Sequence, residues 1–171
     1  MSKGLTDQEA REWCQRNKVA IGHQGPDVSG WGSGTRFSIP EDAQSRIQLP
    51  RVLYPSESEI AGSVLVWTGD WGVWPSCEHL PLYLRFRQAL GESRPLSESN
   101  AQLFESFEAE DGQSYVMLHC LFLWDCWVIS ERGRYIVHFT HDEWGQLLGE
   151  PDAVARARDY LIERTYASLE D

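Results

Sequence analysis

The chain has 171 residues, 42% of them hydrophobic, and this length and composition predict one globular domain over residues 1–171. Its 26 acidic and 15 basic side chains give a net charge of −11, which argues against nucleic acid as a partner because phosphate binding depends on clustered Lys and Arg. The same charge disfavours an anionic membrane surface, and no apolar run is long enough to predict a membrane span. The polar N-terminal sequence lacks the apolar core of a signal peptide, so we expect a cytoplasmic protein.

Capping residues and apolar spacing predict several helices along the chain. Thr6 and Glu9 form the pattern of a capping box, which predicts a helix to about Lys18. The next helix is predicted to follow Pro40, with a break or kink at Pro50. Further helices are predicted over residues 76–90, 108–124, 140–148 and from 152 onward.

Residues 62–68 form the clearest predicted strand, because they are apolar at consecutive positions, as in a central strand covered on both faces. Residues 126–130 and 134–139 predict a β-hairpin. Shorter strands are predicted over residues 19–21, 36–39 and 103–107. Helices and strands alternate around the hairpin, so we predict an α+β fold with a mixed or mainly antiparallel sheet of about four to six strands packed against helices.

Residues 22–35 are predicted to be a flexible Gly-rich loop, because the stretch from Gly22 to Gly34 contains five glycines. Trp31 lies alone in the middle of it. Irregular loops of this length are uncommon in compact domains, and they are often functional or disordered.

The acidic residues are unevenly distributed along the chain. No Lys or Arg lies between Pro95 and Glu131, whereas this stretch carries seven acids. They are Glu98, Glu105, Glu108, Glu110, Asp111, Asp125 and Glu131. Two interpretations stay open: a solvated face that keeps the protein soluble, or a patch whose potential steers a basic partner.

Asp125 stands in the apolar run LFLWDCWVI, where a carboxylate is costly unless it is paired or placed at an element boundary. We expect it to follow a helix, begin a strand and accept hydrogen bonds from the amides of a turn. A pairing with Arg85 or Arg87 is the structural alternative.

Two stretches contain potential metal ligands, Cys77-Glu78-His79 and His138 to Glu143, but neither has the paired spacing typical of zinc. A nucleophilic site could be drawn from Cys77, Asp70 and either His79 or His141. Such combinations arise by chance in a chain with five histidines and 26 acids, so the sequence predicts no catalytic residue, no metal and no cofactor. The four cysteines are expected to be reduced and buried as small hydrophobic residues.

Eight tryptophans are many for a chain of this length, and five of them lie in patterns typical of a core. These are Trp13, Trp67, Trp124, Trp127 and Trp144. Trp31, Trp71 and Trp74 lie in Gly-rich or Pro-rich connections, where aromatic side chains either fold back over a core or are displayed for binding. The turn from Asp70 to Pro75, at the end of a strand, is therefore a candidate binding site.

The stretches VLVWTGDWGVWPS (64–76) and LFESFEAED (103–111) resemble, in their mixture of acidic and aromatic side chains, bacterial immunity proteins of toxin–immunity systems. The resemblance implies a non-enzymatic module that binds and blocks a cognate toxin, often a basic nuclease domain. We expect the partner-binding residues to lie together on one surface. They are Asp70, Trp71, Trp74, Glu78, Glu105, Glu108, Glu110 and Asp111.

Two other functions stay open on the sequence. A small hydrolase or carbohydrate-active enzyme would have its site between Asp70 and His79, with tryptophans as sugar platforms. Its carboxylates could come from Asp70, Glu105, Glu108 or Glu110. A structural or assembly protein would instead dock its aromatic loop in a homo-oligomer.

Overall fold

The computed structural model describes residues 2–23, 25–30, 34–56, 59, 62–72 and 75–167. Within these residues the α-helices are α1 (Asp7–Arg16), α2 (Ala43–Leu53), α3 (Leu80–Ala89), α4 (Ala109–Phe122) and α5 (Pro151–Glu163). The strands are β1 (Lys3–Leu5), β2 (Thr35–Ser38), β3 (Val64–Thr68), β4 (Ala101–Phe104), β5 (Cys126–Ser130), β6 (Tyr135–Phe139) and β7 (Trp144–Gly149). None of these helices has the length and apolar composition needed to span a bilayer.

In the described part of the chain, seven strands form one sheet in the order β1-β4-β3-β5-β6-β7-β2. Every neighbouring pair is antiparallel. The predicted α+β class is confirmed, while the predicted number of four to six strands is too low. β3 lies between β4 and β5 with all five of its residues buried, so the predicted central strand is confirmed.

Successive side chains of β3 point to opposite faces of the sheet, and helices cover both faces. On one side, which we call the α1 face, Leu65 and Trp67 pack in a cluster with Trp13 of α1. On the other side, Val64 and Val66 belong to a larger cluster with buried residues of α2, α3, α4 and α5. Burial on both faces explains why this strand is apolar at consecutive positions.

The predicted capping box begins α1. The Thr6 hydroxyl accepts a hydrogen bond from the Glu9 amide (3.2 Å), and the Glu9 carboxylate accepts one from the Thr6 amide (2.8 Å). The bond from the Thr6 amide lowers the pKa of the Glu9 carboxyl. With its start fixed in this way, α1 places Asp7 and Arg11 in its first turns, close to the end of β3.

The short helix predicted over residues 140–148 is wrong, because Trp144–Gly149 is strand β7. It pairs with β6 on one side and with β2 on the other. Close packing against Phe37 explains the glycine at position 145, since a Cβ there would lie 2.6 Å from Cε2 of Phe37. The run WGQLLG fits either period, and pairing with two neighbouring strands decides between them.

The predicted break of the second helix at Pro50 is also wrong. α2 begins after Asp42, whose carboxylate accepts a hydrogen bond from the Ser45 amide (2.8 Å), and it continues through Pro50 to Leu53. Pro50 is buried together with Leu49 and Leu53. We attribute the continuous helix to this tertiary packing, which offsets the amide donor that proline lacks.

The helix predicted from Ser76 begins four residues later. A 3₁₀ turn covers Ser76–His79, and α3 begins at Leu80 with His79 at its N-cap position. The Ser76 hydroxyl accepts a hydrogen bond from the indole N–H of Trp124 (2.8 Å). Pro81 lies in the first turn of α3, where a missing amide donor is tolerated.

A buried polar cluster lies beneath β3, on the side away from α1. The Thr68 hydroxyl lies 2.9 Å from Nε2 of His119 and 3.1 Å from the Tyr83 hydroxyl. Nδ1 of His119 donates to the Tyr115 carbonyl (3.0 Å), so Nε2 is the acceptor for a hydroxyl proton. Burial lowers the pKa of His119 to about 4, which keeps the ring neutral at pH 7.

Candidate functional site

The end of β3 and the beginning of β5 lie side by side, because the two strands are antiparallel and Thr68 pairs with Cys126. The backbone contacts continue beyond the strands. The Gly69 amide donates to the Asp125 carbonyl (2.8 Å), and the Asp125 amide donates to the Asp70 carbonyl (2.9 Å). Two acidic residues are thereby fixed at one edge of the sheet. We call this edge, comprising residues 67–71, 125–127 and 138–142, the Asp70 edge.

A cavity of about 520 Å³ opens at the Asp70 edge on the α1 face. Trp67, Trp127 and His138 line it from the sheet, and Asp7 and Arg11 line it from α1. The segment of residues 22–27, part of the predicted Gly-rich loop, supplies the remaining wall through its described residues. The sheet, α1 and this segment therefore enclose a space large enough for a side chain or a small ligand.

Arg11 connects this wall to the helix. Its guanidinium donates to the carbonyls of Gly22 (3.0 Å) and His23 (3.1 Å) and to the Asp7 carboxylate (2.7 Å). The same group lies 5.4 Å from the centroid of the Trp67 ring. Arg11 thus has its charge paired within the protein, and it holds the segment in place.

Gly25 brings the segment into contact with Trp127. Its φ of +142° is a conformation that side-chain-bearing residues rarely adopt. A Cβ at this position would also lie 3.1 Å from Nε1 of Trp127. The pairing of Ile21 with Pro26 and the hydrogen bond from the Asp27 amide to the Ala20 carbonyl (2.8 Å) close this part of the loop.

Two stacked rings form the flattest wall of the cavity. Trp127 and His138 lie opposite each other on β5 and β6, with ring centroids 3.6 Å apart and an interplanar angle of 1°. Burial lowers the pKa of His138 to about 4, so the ring is neutral at pH 7. The wall is therefore an uncharged aromatic surface, suited to stacking against a planar or cationic group.

The charges around the cavity are mainly negative. Among the described lining residues the carboxylates are Asp7, Asp27, Asp70 and Asp125, and the guanidinium is that of Arg11. Hydrogen bonds from Ser29 lower the pKa of Asp27, which keeps this carboxylate ionised. Since Arg11 is paired with Asp7, the remaining charge favours a cation over an anion.

Asp125 forms its side-chain hydrogen bonds with the turn between β6 and β7. Its Oδ1 accepts from the His141 amide (2.6 Å) and from Nδ1 of His141 (2.7 Å). The bond to Asp125 raises the pKa of His141, with additional contributions from the charges of Asp142 and Asp70. One ligand atom from each of Asp70, Asp125 and His141 lies within 4.8 Å of the other two.

The prediction that Asp125 bonds turn amides is confirmed, and the alternative pairing with Arg87 is wrong. The Arg87 guanidinium is buried and donates to the carbonyls of Arg94 (3.0 Å) and Ser99. Two potential ligands of the stretch from His138 to Glu143 have different surroundings: His138 faces the cavity, whereas His141 bonds Asp125.

The prediction of buried cysteines is confirmed for three of the four and is wrong for Cys77. Burial raises the pKa of Cys14 to about 12 and also raises the pKa of Cys120 and Cys126. Cys77 is half-buried in the 3₁₀ turn before α3, and all four thiols are free.

The Asp70 edge contains one group of the predicted partner-binding residues. Asp70 is exposed, and the Trp71 side chain next to it is 38% exposed. Glu78 is exposed in the 3₁₀ turn, where it lines a shallow depression together with His141. Trp74, predicted to belong with them, lies outside the described residues, as does Trp31.

A second group lies where β4 ends and α4 begins. Glu105, Glu110 and Asp111 are exposed, and Phe107 between them is 75% exposed. Glu108 differs from the other acids because it is buried and its carboxylate accepts from the Glu105 amide (3.0 Å). The carboxylate of Glu108 thus caps the turn that precedes α4.

These two groups lie at opposite ends of the sheet. Phe104 pairs with Val64 and Ala101 pairs with Trp67, so the end of β4 lies beside the beginning of β3. At roughly 3.3 Å per residue along a strand, Glu105 and Asp70 are about 20 Å apart. The seven described residues of this predicted set therefore do not lie together, and they belong to two separate surfaces.

Sequence reasoning selected Asp70 and Trp71, and it recognised Asp125 as unusual. It did not select Arg11, the stacked pair of Trp127 and His138, or the association of Asp125 with His141. These contacts depend on strand register, for which the sequence contains no local signal.

No protein-family model, no curated protein and no solved structure matches this chain.

Proposed function

We propose that this protein is a non-enzymatic binding module that recognises a basic protein partner at the Asp70 edge. The observation that carries the proposal is the cavity of about 520 Å³, with its excess of carboxylates and its walls of tryptophan. A Lys or Arg side chain matches it, because the cationic head meets Asp27 and Asp70 while its stem or guanidinium plane packs on Trp127.

Trp71 extends this surface beyond the cavity. Its partly exposed indole lies next to Asp70, at the point where an approaching partner would cover both. Tryptophan and arginine are enriched among the residues that dominate binding energy in protein interfaces. Trp71 is therefore assigned as the aromatic anchor and the cavity as the receptor for a basic side chain.

A toxin that the module inhibits is the partner class we favour. The resemblance to immunity proteins implies such a partner, and a basic nuclease domain would supply the required Lys and Arg side chains. The net charge of −11 would attract it over a distance and raise the association rate at low ionic strength. Salt would slow association more than it speeds dissociation.

A photo-crosslinking residue at position 71 tests the proposal. Trp71→p-benzoylphenylalanine, irradiated in extract of the cells that encode the chain, should give an adduct with a basic protein. The matched control carries the same residue at the exposed Phe107, at the opposite end of the sheet. The captured protein should then bind the purified chain at a 1:1 ratio, and Trp71→Ala should weaken binding roughly tenfold or more.

Adducts of equal yield at positions 71 and 107 would contradict this assignment, as would a captured protein whose affinity Trp71→Ala leaves unchanged. Circular dichroism of each variant separates lost binding from lost folding. A fall in the association rate with added salt, at a nearly constant dissociation rate, is the expected kinetic signature.

A carbohydrate ligand is the second candidate, favoured by the tryptophans beside carboxylates in the cavity. One carboxylate oxygen of Asp70 lies within 4.8 Å of one of Asp125, so both side chains can accept hydrogen bonds from the same ligand. Titration of intrinsic tryptophan fluorescence with neutral oligosaccharides, with Asp27→Asn as the matched variant, would distinguish a sugar site from a site for basic side chains.

A further inference from the structure

Three potential metal ligands meet at the Asp70 edge. Asp70, Asp125 and His141 each offer one ligand atom, and these atoms lie within 4.8 Å of one another. Ligands of one ion, bonded at about 2.1 Å, are roughly 3–4 Å apart, so small rotations of side chains would close this group around an ion. Two carboxylates at this separation repel each other unless a positive charge lies between them.

The polypeptide backbone holds the three residues in position. The Asp125 amide donates to the Asp70 carbonyl (2.9 Å), which ties the end of β3 to the beginning of β5. The His141 amide donates to Oδ1 of Asp125 (2.6 Å), which ties the turn after β6 to the same point. The ligand positions therefore follow from strand pairing, and an ion would not have to organise them.

We propose that Asp70, Asp125 and His141 bind a divalent transition-metal ion, with Zn²⁺ as the probe. One imidazole and two carboxylates form a mixed nitrogen and oxygen donor set, which favours Zn²⁺ and its first-row neighbours over Mg²⁺ or Ca²⁺. The ion takes the place of the proton that His141 donates to Asp125. This inference goes beyond the proposed binding function and does not depend on it.

Three protein ligands leave at least one coordination position of the ion open. Asp70 and Asp125 both line the cavity, so this position faces a space that can hold water or a ligand oxygen. Of the two stretches of potential ligands in the sequence, His138 to Glu143 contributes His141 to this cluster, whereas Cys77 and His79 do not belong to it. The three residues chosen instead come from three segments that are distant in the chain.

Calorimetric titration of the tag-free, chelator-treated chain with Zn²⁺ tests the site. We expect one ion per chain, and a loss of affinity of roughly tenfold or more in Asp70→Asn. Asp70 is exposed and its carboxylate is not part of the Asp125–His141 contact, so this variant should keep the fold. Asp27→Asn, which removes a cavity carboxylate outside the cluster, is the matched control and should bind Zn²⁺ as the parent does.

Co²⁺ in place of Zn²⁺ adds a spectroscopic measurement. A coordinated ion with a histidine ligand should give visible d–d bands, and these should be lost in His141→Gln. Absence of stoichiometric binding by the parent chain would overturn the proposal. Equal affinity of Asp70→Asn and Asp27→Asn would also overturn it, because it would indicate diffuse attraction of cations to an acidic surface. No partner is present in these measurements, so their outcome is independent of the crosslinking experiment.

Discussion

Arg11 shows how one side chain organises the cavity. Its guanidinium bonds two carbonyls of the segment after Ile21 and one carboxylate of its own helix, and it packs on Trp67. Lysine cannot reproduce this arrangement, because a single ammonium group lacks the planar array of donors. A basic residue with its charge already paired is thus a structural part of an acidic site.

We expect Arg11→Lys to loosen residues 22–27 and to lower the free energy of unfolding by about 1.5–3 kcal/mol, because the ammonium can replace one of the two carbonyl bonds and the other is lost. Hydrogen exchange of the Gly22 and Asp27 amides, which bond Gly25 and Ala20, should become roughly tenfold faster. Arg16→Lys is the matched control, since within the described part of the chain the Arg16 side chain donates to the Glu12 carbonyl of its own helix. Unchanged exchange in Arg11→Lys would mean that the segment is held by Gly25 and Pro26 alone.

Elements with long, strongly patterned sequences were predicted well. β3 was recognised because its consecutive apolar residues match burial on both faces, and α1 because its capping box is a local signal. The sequence of β7 predicts a helix because its pattern fits either period, and only pairing with β2 and β6 determines its structure. β1, at three residues, is too short to carry a pattern.

α4 offers a case in which helix propensity and packing oppose each other. Gly112 lies inside this helix, where alanine would ordinarily stabilise by about 1 kcal/mol. A Cβ at this position would lie 2.5 Å from Cζ of Tyr54, a side chain that is only 1% exposed. A substitution that creates such a contact overpacks the core, and overpacking typically lowers the free energy of unfolding by about 1–3 kcal/mol.

We therefore expect Gly112→Ala to be destabilising, by about 1–2 kcal/mol after the gain in helix propensity is subtracted. Urea denaturation monitored by circular dichroism measures this difference. Gly30→Ala serves as the control, because a Cβ on Gly30 meets no atom within 4 Å. A stabilised Gly112→Ala would mean that Tyr54 can move aside and that α4 and α2 are less tightly packed than this contact indicates.

At the scale of the whole molecule, the candidate site could be predicted only in part. Asp70 and Trp71 follow a recognisable strand, which made their turn a candidate. His141 lies 16 residues from Asp125, in the turn between β6, which the sequence predicts as a strand, and β7, which it predicts as a helix. Glu105 and Asp70 are separated by the length of β3, and this separation could not be predicted without the register of β4 against β3. Local sequence patterns thus identified candidate site residues, whereas antiparallel strand pairing determines which of these residues lie close together.

Three histidines whose pKa values are shifted in opposite directions make the stability of the fold depend on pH. Burial lowers the pKa of His119 and of His138 to about 4, whereas the bond to Asp125 raises the pKa of His141. Between pH 6.5 and 4, the unfolded chain binds protons at His119 and His138 that the folded chain does not bind, so acidification favours unfolding. His141 acts in the opposite direction, but its side chain is 34% exposed and solvent screens its contribution.

We expect the free energy of unfolding of the metal-free chain to fall between pH 7 and pH 5, by about 2 kcal/mol for each of His119 and His138. Urea denaturation at half-unit pH intervals measures the slope. His138→Phe retains an aromatic ring against Trp127 and removes one titrating group, so its stability should fall about half as steeply over this interval. A slope equal to that of the parent would show that His138 titrates alike in the folded and unfolded chains, and that water reaches the stacked wall of the cavity.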